Sequence, residues 1–195
     1  MLPQTYTYLR DEPRAVLLAH MQADMAQTLA RVWQQRASEL PLQTPQDLLV
    51  LASLVEKETA VPAERPLVAR VLLNRLQKGM KLQTDPTVIY GLTQGRPPLG
   101  RPLTHADLQI PSPYNTYMNT GLPPGPICSP GLAALEAAAH PAQSEALYFV
   151  ANGTGGHSFA ATFRDHNNNV SLFRTPHSCQ CTPALPAGSP PTPPS

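Results

Sequence analysis

Cysteine is scarce in this chain: three residues in 195, Cys128, Cys179 and Cys181, too few for a disulfide framework and in no zinc-ligand spacing. Charge is scarce as well. Only 14% of residues are charged, and Lys+Arg 14 against Asp+Glu 13 gives a formal net charge of +1. That lacks the basic excess that neutralises phosphates, which argues against nucleic-acid binding. It equally lacks the high net charge of a disordered polyelectrolyte. No run approaches the roughly 20 apolar residues of a bilayer-spanning helix, and Met1 opens no signal-peptide pattern. The sequence as it stands therefore shows no targeting or anchoring device. It has no Gly-x-Ser-x-Gly nucleophile elbow. Gly153, Gly155 and Gly156 fall in a hairpin pattern and not before a helix, which excludes a phosphate-binding loop.

What the chain has is a 42% apolar content, enough to build a core in one domain, and 24 prolines. Seven of the 24 lie between Pro176 and Ser195, in a segment with almost nothing to pack, read as a disordered, polyproline-like tail. The other 17 punctuate the first 175 residues. Thr44-Pro45-Gln46-Asp47 reads as a capped helix start, Asp85-Pro86 as a cap and first turn, and Ser129-Pro130 as the start of an Ala-rich helix ending at His140-Pro141. Pro111 to Pro130 reads as a stiff irregular loop, suited to holding a ligand.

Periodicity supplies the other elements. Leu18, Met21, Met25, Leu29 and Val32 recur at steps of three and four, predicting a packing helix from Ala15 to about Ser38. A second helix is expected from Thr44 to about Thr59 and a third from about Ala63 to Lys78. A short helix follows from Asp85 to Tyr90, and Thr104 with Asp107 forms another capping pattern. Leu147–Val150 and His157–Ala160 read as two strands joined by the Asn152–Gly156 hairpin, and a last helix spans about Arg164 to Phe173. The fold class is α+β, mostly helical with a small β-hairpin.

The second helix holds the most informative residues. Its apolar stripe centres near the Leu51–Val55 edge; Glu58 follows Val55 by three and Leu51 by seven, so it continues that stripe. Glu56 falls farther from the stripe and is expected to stay wet, and Lys57 points to the opposite face. A carboxyl drawn into an apolar place loses hydration, its pKa rises, and it becomes a general acid at neutral pH. Periodicity alone leaves the alternative of a solvated helix-end Glu, or one paired with Arg65 or Arg70. No second carboxylate obviously completes a hydrolase pair. Asp85 is the one candidate, and helix capping is its expected role. His140, His157 and His166 lack metal-ligand spacing, so no metal or other cofactor is expected. Cys128 reads as a small packing residue.

Several long stretches then match one family in order. Leu51-Ala-Ser-Leu-Val-Glu-Lys-Glu-Thr59, Val71-Leu-Leu-Asn-Arg-Leu76 and Leu82-Gln-Thr-Asp-Pro-Thr-Val-Ile-Tyr-Gly91 are followed by Pro113-Tyr-Asn-Thr-Tyr117 and Gly121-Leu-Pro-Pro-Gly-Pro-Ile127. Ala137-Ala-Ala-His-Pro141, Leu147-Tyr-Phe-Val150 and Gly155-Gly-His-Ser-Phe159 complete the set. Together, from Leu2 to Phe173, the chain resembles the endolytic murein (lytic) transglycosylases, also called YceG-like.

The resemblance implies a lysozyme-like catalytic domain over 1–175 with the tail at 176–195. It implies an enzyme that cuts peptidoglycan glycan strands between MurNAc and GlcNAc and leaves a 1,6-anhydro end. The single catalytic Glu of the family maps to Glu58, the residue the helical wheel also favours. Gln83, Thr84 and Asp85, with Tyr114, Asn115, Thr116 and Tyr117, become candidate substrate contacts, each with a structural alternative. Asn74 could orient Glu58 or be a buried structural amide, and His157 is a further supporting candidate. Peptidoglycan is the implied partner, with cell-wall synthases as candidates, no nucleic acid, and the periplasmic face of the inner membrane as the implied location. The family carries an N-terminal membrane anchor and a LysM-like subdomain ahead of this region; this chain opens near where the catalytic region should start, so both are expected to be missing from it. A lysozyme-like hydrolase using water, and a non-catalytic murein-binding scaffold, remain the alternatives.

Overall fold

The structure, a computed structural model, describes residues 1–96 and 99–174. Within them lie six α-helices and one two-stranded sheet: α1 (Arg14–Gln35), α2 (Pro45–Glu58), α3 (Arg65–Gln77), α4 (Asp85–Thr93), α5 (Leu132–Ala139), β1 (Tyr148–Ala151), β2 (His157–Ala160) and α6 (Phe163–Arg174). This is the expected α+β class. The expected disordered tail, with Cys179 and Cys181, lies outside the described residues.

Helix α2 starts where its sequence dictates. The Thr44 hydroxyl accepts from the Asp47 N–H at 3.2 Å, and the Asp47 carboxylate accepts from the Thr44 N–H at 3.0 Å. This reciprocal pair satisfies two of the orphan donors of a helix start. The helix then departs from a one-sided stripe: every residue from Val50 to Val55 is buried. It is wrapped by α1, α3, α4 and α5, the arrangement open to a helix that is apolar all round. Ser53 is the polar exception. Its hydroxyl donates to Val50 O at 2.7 Å and accepts from the Ile127 N–H at 3.0 Å, so the irregular segment before α5 is fastened to the central helix.

Helix α1 ends at Gln35 and not near Ser38, and three other helix boundaries shift for local reasons. Helix α3 starts at Arg65, because Pro62–Glu64 winds as a tighter 3₁₀ turn. Helix α4 runs past Tyr90 to Thr93 and stops at Gln94 and Gly95, both at positive φ. Gly91 lies inside it because a Cβ there would meet the Ser112 hydroxyl at 2.8 Å, so the glycine admits the 111–130 loop and does not end the helix. Helix α5 starts at Leu132 and not at Ser129–Pro130, since the segment before it is tied to α2 by the Ile127 N–H on Ser53 and the Gly131 N–H on Glu56. Its Ala134, Ala137, Ala138 and Ala139 are buried, and small side chains allow the close approach to α2.

The hairpin is antiparallel with Ala151 opposite His157 and Phe149 opposite Phe159. Its turn is closed by the Asn152 side-chain oxygen, which accepts from the N–H groups of Thr154 and Gly156 at 2.9 and 3.1 Å. Helix α6 covers β1, with Tyr148 against Phe163 and stacked on His166. Arg70 and Asn74 on α3 donate to the carbonyls of Ala142, Ser144 and Ala146, which delivers the hairpin to the end of α2.

Candidate active site

The last residue of α2, Glu58, opens into a cleft of about 250 Å³ lined also by Arg75, Leu82, Gln83, Asp85, Tyr117, Phe149, Val150, Ala151 and His157. Four parts of the chain converge there: the C-terminus of α2, the middle of α3, the 82–85 segment with Tyr117, and the hairpin. A larger groove of about 740 Å³ runs between α4 and residues 126–129, but its lining includes no carboxylate.

Glu58 is the electrostatic centre. Burial, then the negative charge of Asp85, push its carboxyl from 4.5 up to about 8, and the Arg75 cation pulls the other way. At neutral pH it therefore carries its proton. Glu56 differs from its expected solvated state: it is half-buried and its carboxylate accepts from the Gly131 N–H at 3.2 Å, ahead of α5. A carboxylate there also complements the positive end of that helix. Neither Arg65 nor Arg70 pairs with Glu58. Arg70 is bonded to Ala142 O, and the cation that acts on Glu58 is Arg75.

Asp85 corrects the capping expectation. The residue before α4, Thr84, makes no side-chain cap bond, and Asp85 is already helical; its carboxylate accepts from the Tyr117 hydroxyl at 2.6 Å. Burial and the Asp85 charge push the Tyr117 phenol up, so it stays a donor. Gln83 holds a left-handed backbone, φ 54, unusual for a residue with a side chain. Its N–H donates to Thr116 O at 3.2 Å, and its side-chain oxygen accepts from Arg75 at 3.3 Å. This conformation aims the side chain along the cleft wall at a cost of about 1 kcal/mol. Gln83→Gly should therefore keep or slightly raise the melting temperature while lowering turnover, read by calorimetry and an initial-rate assay side by side.

The remaining candidates sit behind the cleft. The Thr84, Thr87 and Thr116 hydroxyls form a buried cluster, with Thr87 and Thr116 oxygens 2.8 Å apart. Asn115 is buried; its amide donates to Leu108 O and Ile110 O and its oxygen accepts from the Tyr117 N–H, which fixes where Tyr117 points. Tyr114 packs on Tyr90, ring centres 4.7 Å apart, and is not a cleft wall. Asn74 is committed to the carbonyls that carry the hairpin. His157 does reach the cleft, held by Glu64. Burial pushes the Cys128 thiol up to about 11, and its sulfur donates to Ser53 O, consistent with packing.

Sequence reasoning missed Arg75 and Glu64. Arg75 is buried and donates to Leu147 O, Lys81 O, Leu82 O and Gln83 Oε1 at 2.7–3.3 Å, tying both flanks of the cleft to α3. Among the described residues no group of three or more His, Cys, Asp or Glu is placed to hold a metal, and no helix is long and apolar enough to cross a membrane.

Known proteins share this chain's pattern. Endolytic murein transglycosylase of Bacillus subtilis is 47% identical over 120 residues, covering 62% of this chain and 32% of that protein. The protein of the same name from Streptococcus pneumoniae is 38% identical over 177 residues, covering 88% of this chain and 31% of that one. The chain thus spans about a third of the length of these curated relatives. A crystal structure of a YceG-like protein from Listeria monocytogenes superposes with a TM-score of 0.66 at 35% identity, over 85% of this chain and 51% of that one. The YceG-like family profile matches residues 1–172, and the chain belongs to that family.

Proposed function

We propose that this chain is the catalytic region of an endolytic murein transglycosylase, with Glu58 as its acid and base. The observation that carries the reading is a carboxyl kept protonated up to about 8 in a cleft at the end of the central helix. The names of the relatives supply the substrate, peptidoglycan. Protonated Glu58 gives its proton to the glycosidic oxygen between MurNAc and GlcNAc as the C1–O bond breaks. The resulting carboxylate takes the proton of the MurNAc C6 hydroxyl while O6 bonds to C1. Glu58 ends as it began, protonated; no water is consumed, and the product is a 1,6-anhydro end. Attack within one sugar ring gains from proximity once the ring is held. The negative charge that Asp85 places beside Glu58 suits the positive charge that develops at C1. Gln83 and Tyr117 line the same cleft and offer polar contacts to the sugar. Thr84, Asn115 and Thr116 support those contacts through the framework.

Asp85 also favours a second reading. A carboxylate sharing the cleft with a protonated one is what a hydrolase uses to activate water. Mass spectrometry of digested murein decides: transglycosylase products are lighter by one water than hydrolysis products. Asp85→Asn adds a check on the electrostatics. Removing that charge takes away an upward push on Glu58, so the alkaline limb of the pH–rate profile should fall below about 8 and the rate at pH 7 should drop. An unmoved limb would show that Asp85 does not tune Glu58. By the family's pattern the site of action is the periplasmic face of the inner membrane, with cell-wall synthases as partners and residues 1–175 as the catalytic domain.

A further inference from the structure

Glu64 closes the short turn Pro62–Glu64 and takes no part in the proton transfers above. Its carboxylate is met only by donors. Oε1 accepts the His157 backbone N–H at 2.8 Å; Oε2 accepts the Thr59 hydroxyl at 3.1 Å and lies 2.7 Å from His157 Nδ1. The Thr59 oxygen in turn accepts from the Val61 N–H, which leaves its proton for Glu64. Burial pushes this carboxyl up, but hydrogen bonds from His157 and Thr59 outweigh it and the pKa is lowered overall. A carboxylate has no proton to give, so the shared proton belongs to Nδ1, and in the neutral ring Nε2 is then the acceptor.

His157 then has one nitrogen left. Nε2 has no protein partner among the described residues and is not sealed off from solvent, and the ring lines the cleft that holds Glu58. Phe149 meets the ring edge-on at 5.3 Å and steadies it. A second feature protects the arrangement: a Cβ on residue 156 would come within 2.5 Å of Glu64 Oε1, so Gly156 is what lets the carboxylate approach. Fastening the hairpin to the end of α2 needs only the backbone bond. The bond to Nδ1 does something further, because it decides which ring nitrogen carries the shared proton and which faces the cleft.

We propose that Glu64 is a positioning residue that presents His157 Nε2 to the cleft as a hydrogen-bond acceptor, and that Nε2 receives a donor of an N-acetylated amino sugar, its acetamido N–H or a hydroxyl. This rests on the glycan-cleaving reading and adds a contact to it. Glu64→Gln is the informative change. The Gln oxygen still accepts the His157 N–H, but its amide group now donates to Nδ1, which drives the ring proton to Nε2 and turns the acceptor into a donor. The shape and the backbone bond survive.

The test uses the full chain and peptide-free glycan strands from murein. In the native protein, nitrogen NMR of the histidines should report the Nδ1-protonated tautomer for His157, and in Glu64→Gln the other. The KM for the strands should rise about tenfold with kcat within about twofold, the size of one hydrogen bond lost or opposed in binding. His157→Phe, which keeps a ring against Phe149, should raise KM equally, and the double variant should add nothing more. Native KM in either variant, or an Nε2-protonated ring in the native protein, overturns the proposal. Strand binding measured in a Glu58→Gln background keeps the two readings apart. Full cleavage by Glu58→Gln would sink the acid role without touching His157. Unchanged strand affinity on adding Glu64→Gln would sink the His157 contact without touching the acid role.

Discussion

Glu58→Gln is expected to remove strand cleavage, by about 10³-fold or more, and to make the protein more stable. The loss follows because in the proposed mechanism one carboxyl serves both proton transfers and the amide can serve neither. The gain follows from linkage. In the unfolded chain Glu58 ionises near 4.5, and in the folded protein near 8. Between those pH values the native state holds a proton that the unfolded state has released. Stability therefore falls as pH rises across that window, and the full cost, on the order of 3–5 kcal/mol, is present above it. Gln does not titrate. The advantage of the variant should be small at pH 5 and largest near pH 9, where it amounts to roughly 5–15 °C in melting temperature. Calorimetry of both proteins at the two pH values checks this. A difference that does not grow with pH would mean that Glu58 is ionised in the folded protein and cannot be the acid. Buried functional groups that a fold tolerates at a loss of stability are a recurring sign of active sites.

The way Glu58 could be found in the sequence explains what else could have been. A carboxylate continuing the Leu51–Val55 stripe stands out because an apolar face should not end in a charge. Arg75 obeys the same rule. It follows Val71 by four and Leu72 by three on α3, so the wheel that singles out Glu58 also singles out this buried cation. Asp85 misled for a local reason. Asp before Pro at a helix start is a normal cap, and its true partner, the Tyr117 hydroxyl, lies 32 residues away. Glu64 carries no local signal. It sits in a turn without periodicity, and its partner His157 is 93 residues on. Thr84, Asn115 and Thr116 were legible as special and not as to kind. Their hydrogen bonds run into the framework that holds Gln83, Asp85 and Tyr117, and a motif cannot tell a ligand contact from the residue supporting it. The helices followed from periodicity and caps. Their ends shifted where tertiary contacts, such as Ser112 against Gly91, decided them.

Arg75 carries the second large prediction. Its guanidinium donates to Leu147 O beside the hairpin and to Lys81 O, Leu82 O and Gln83 Oε1 on the opposite flank, and it lies over the Tyr148 ring at 5.2 Å. Arg75→Met keeps the stem length but orphans these acceptors, of which Leu82 O is buried at its bond, and removes the cation that pulls Glu58 down. A loss on the order of 3–5 kcal/mol is expected, with a melting temperature lower by roughly 10 °C. The rate should fall because Gln83 and the hairpin wall lose their common anchor. The surviving activity should nonetheless extend to higher pH than in the native protein, opposite to Asp85→Asn, because Glu58 without its cation holds its proton longer. Arg75→Lys separates the two roles. An ammonium keeps the charge but cannot span a planar fork of acceptors. That variant should lose stability while its alkaline limb stays near the native position. If Arg75→Met and Arg75→Lys moved the limb alike, Arg75 would act on Glu58 through geometry and not through charge.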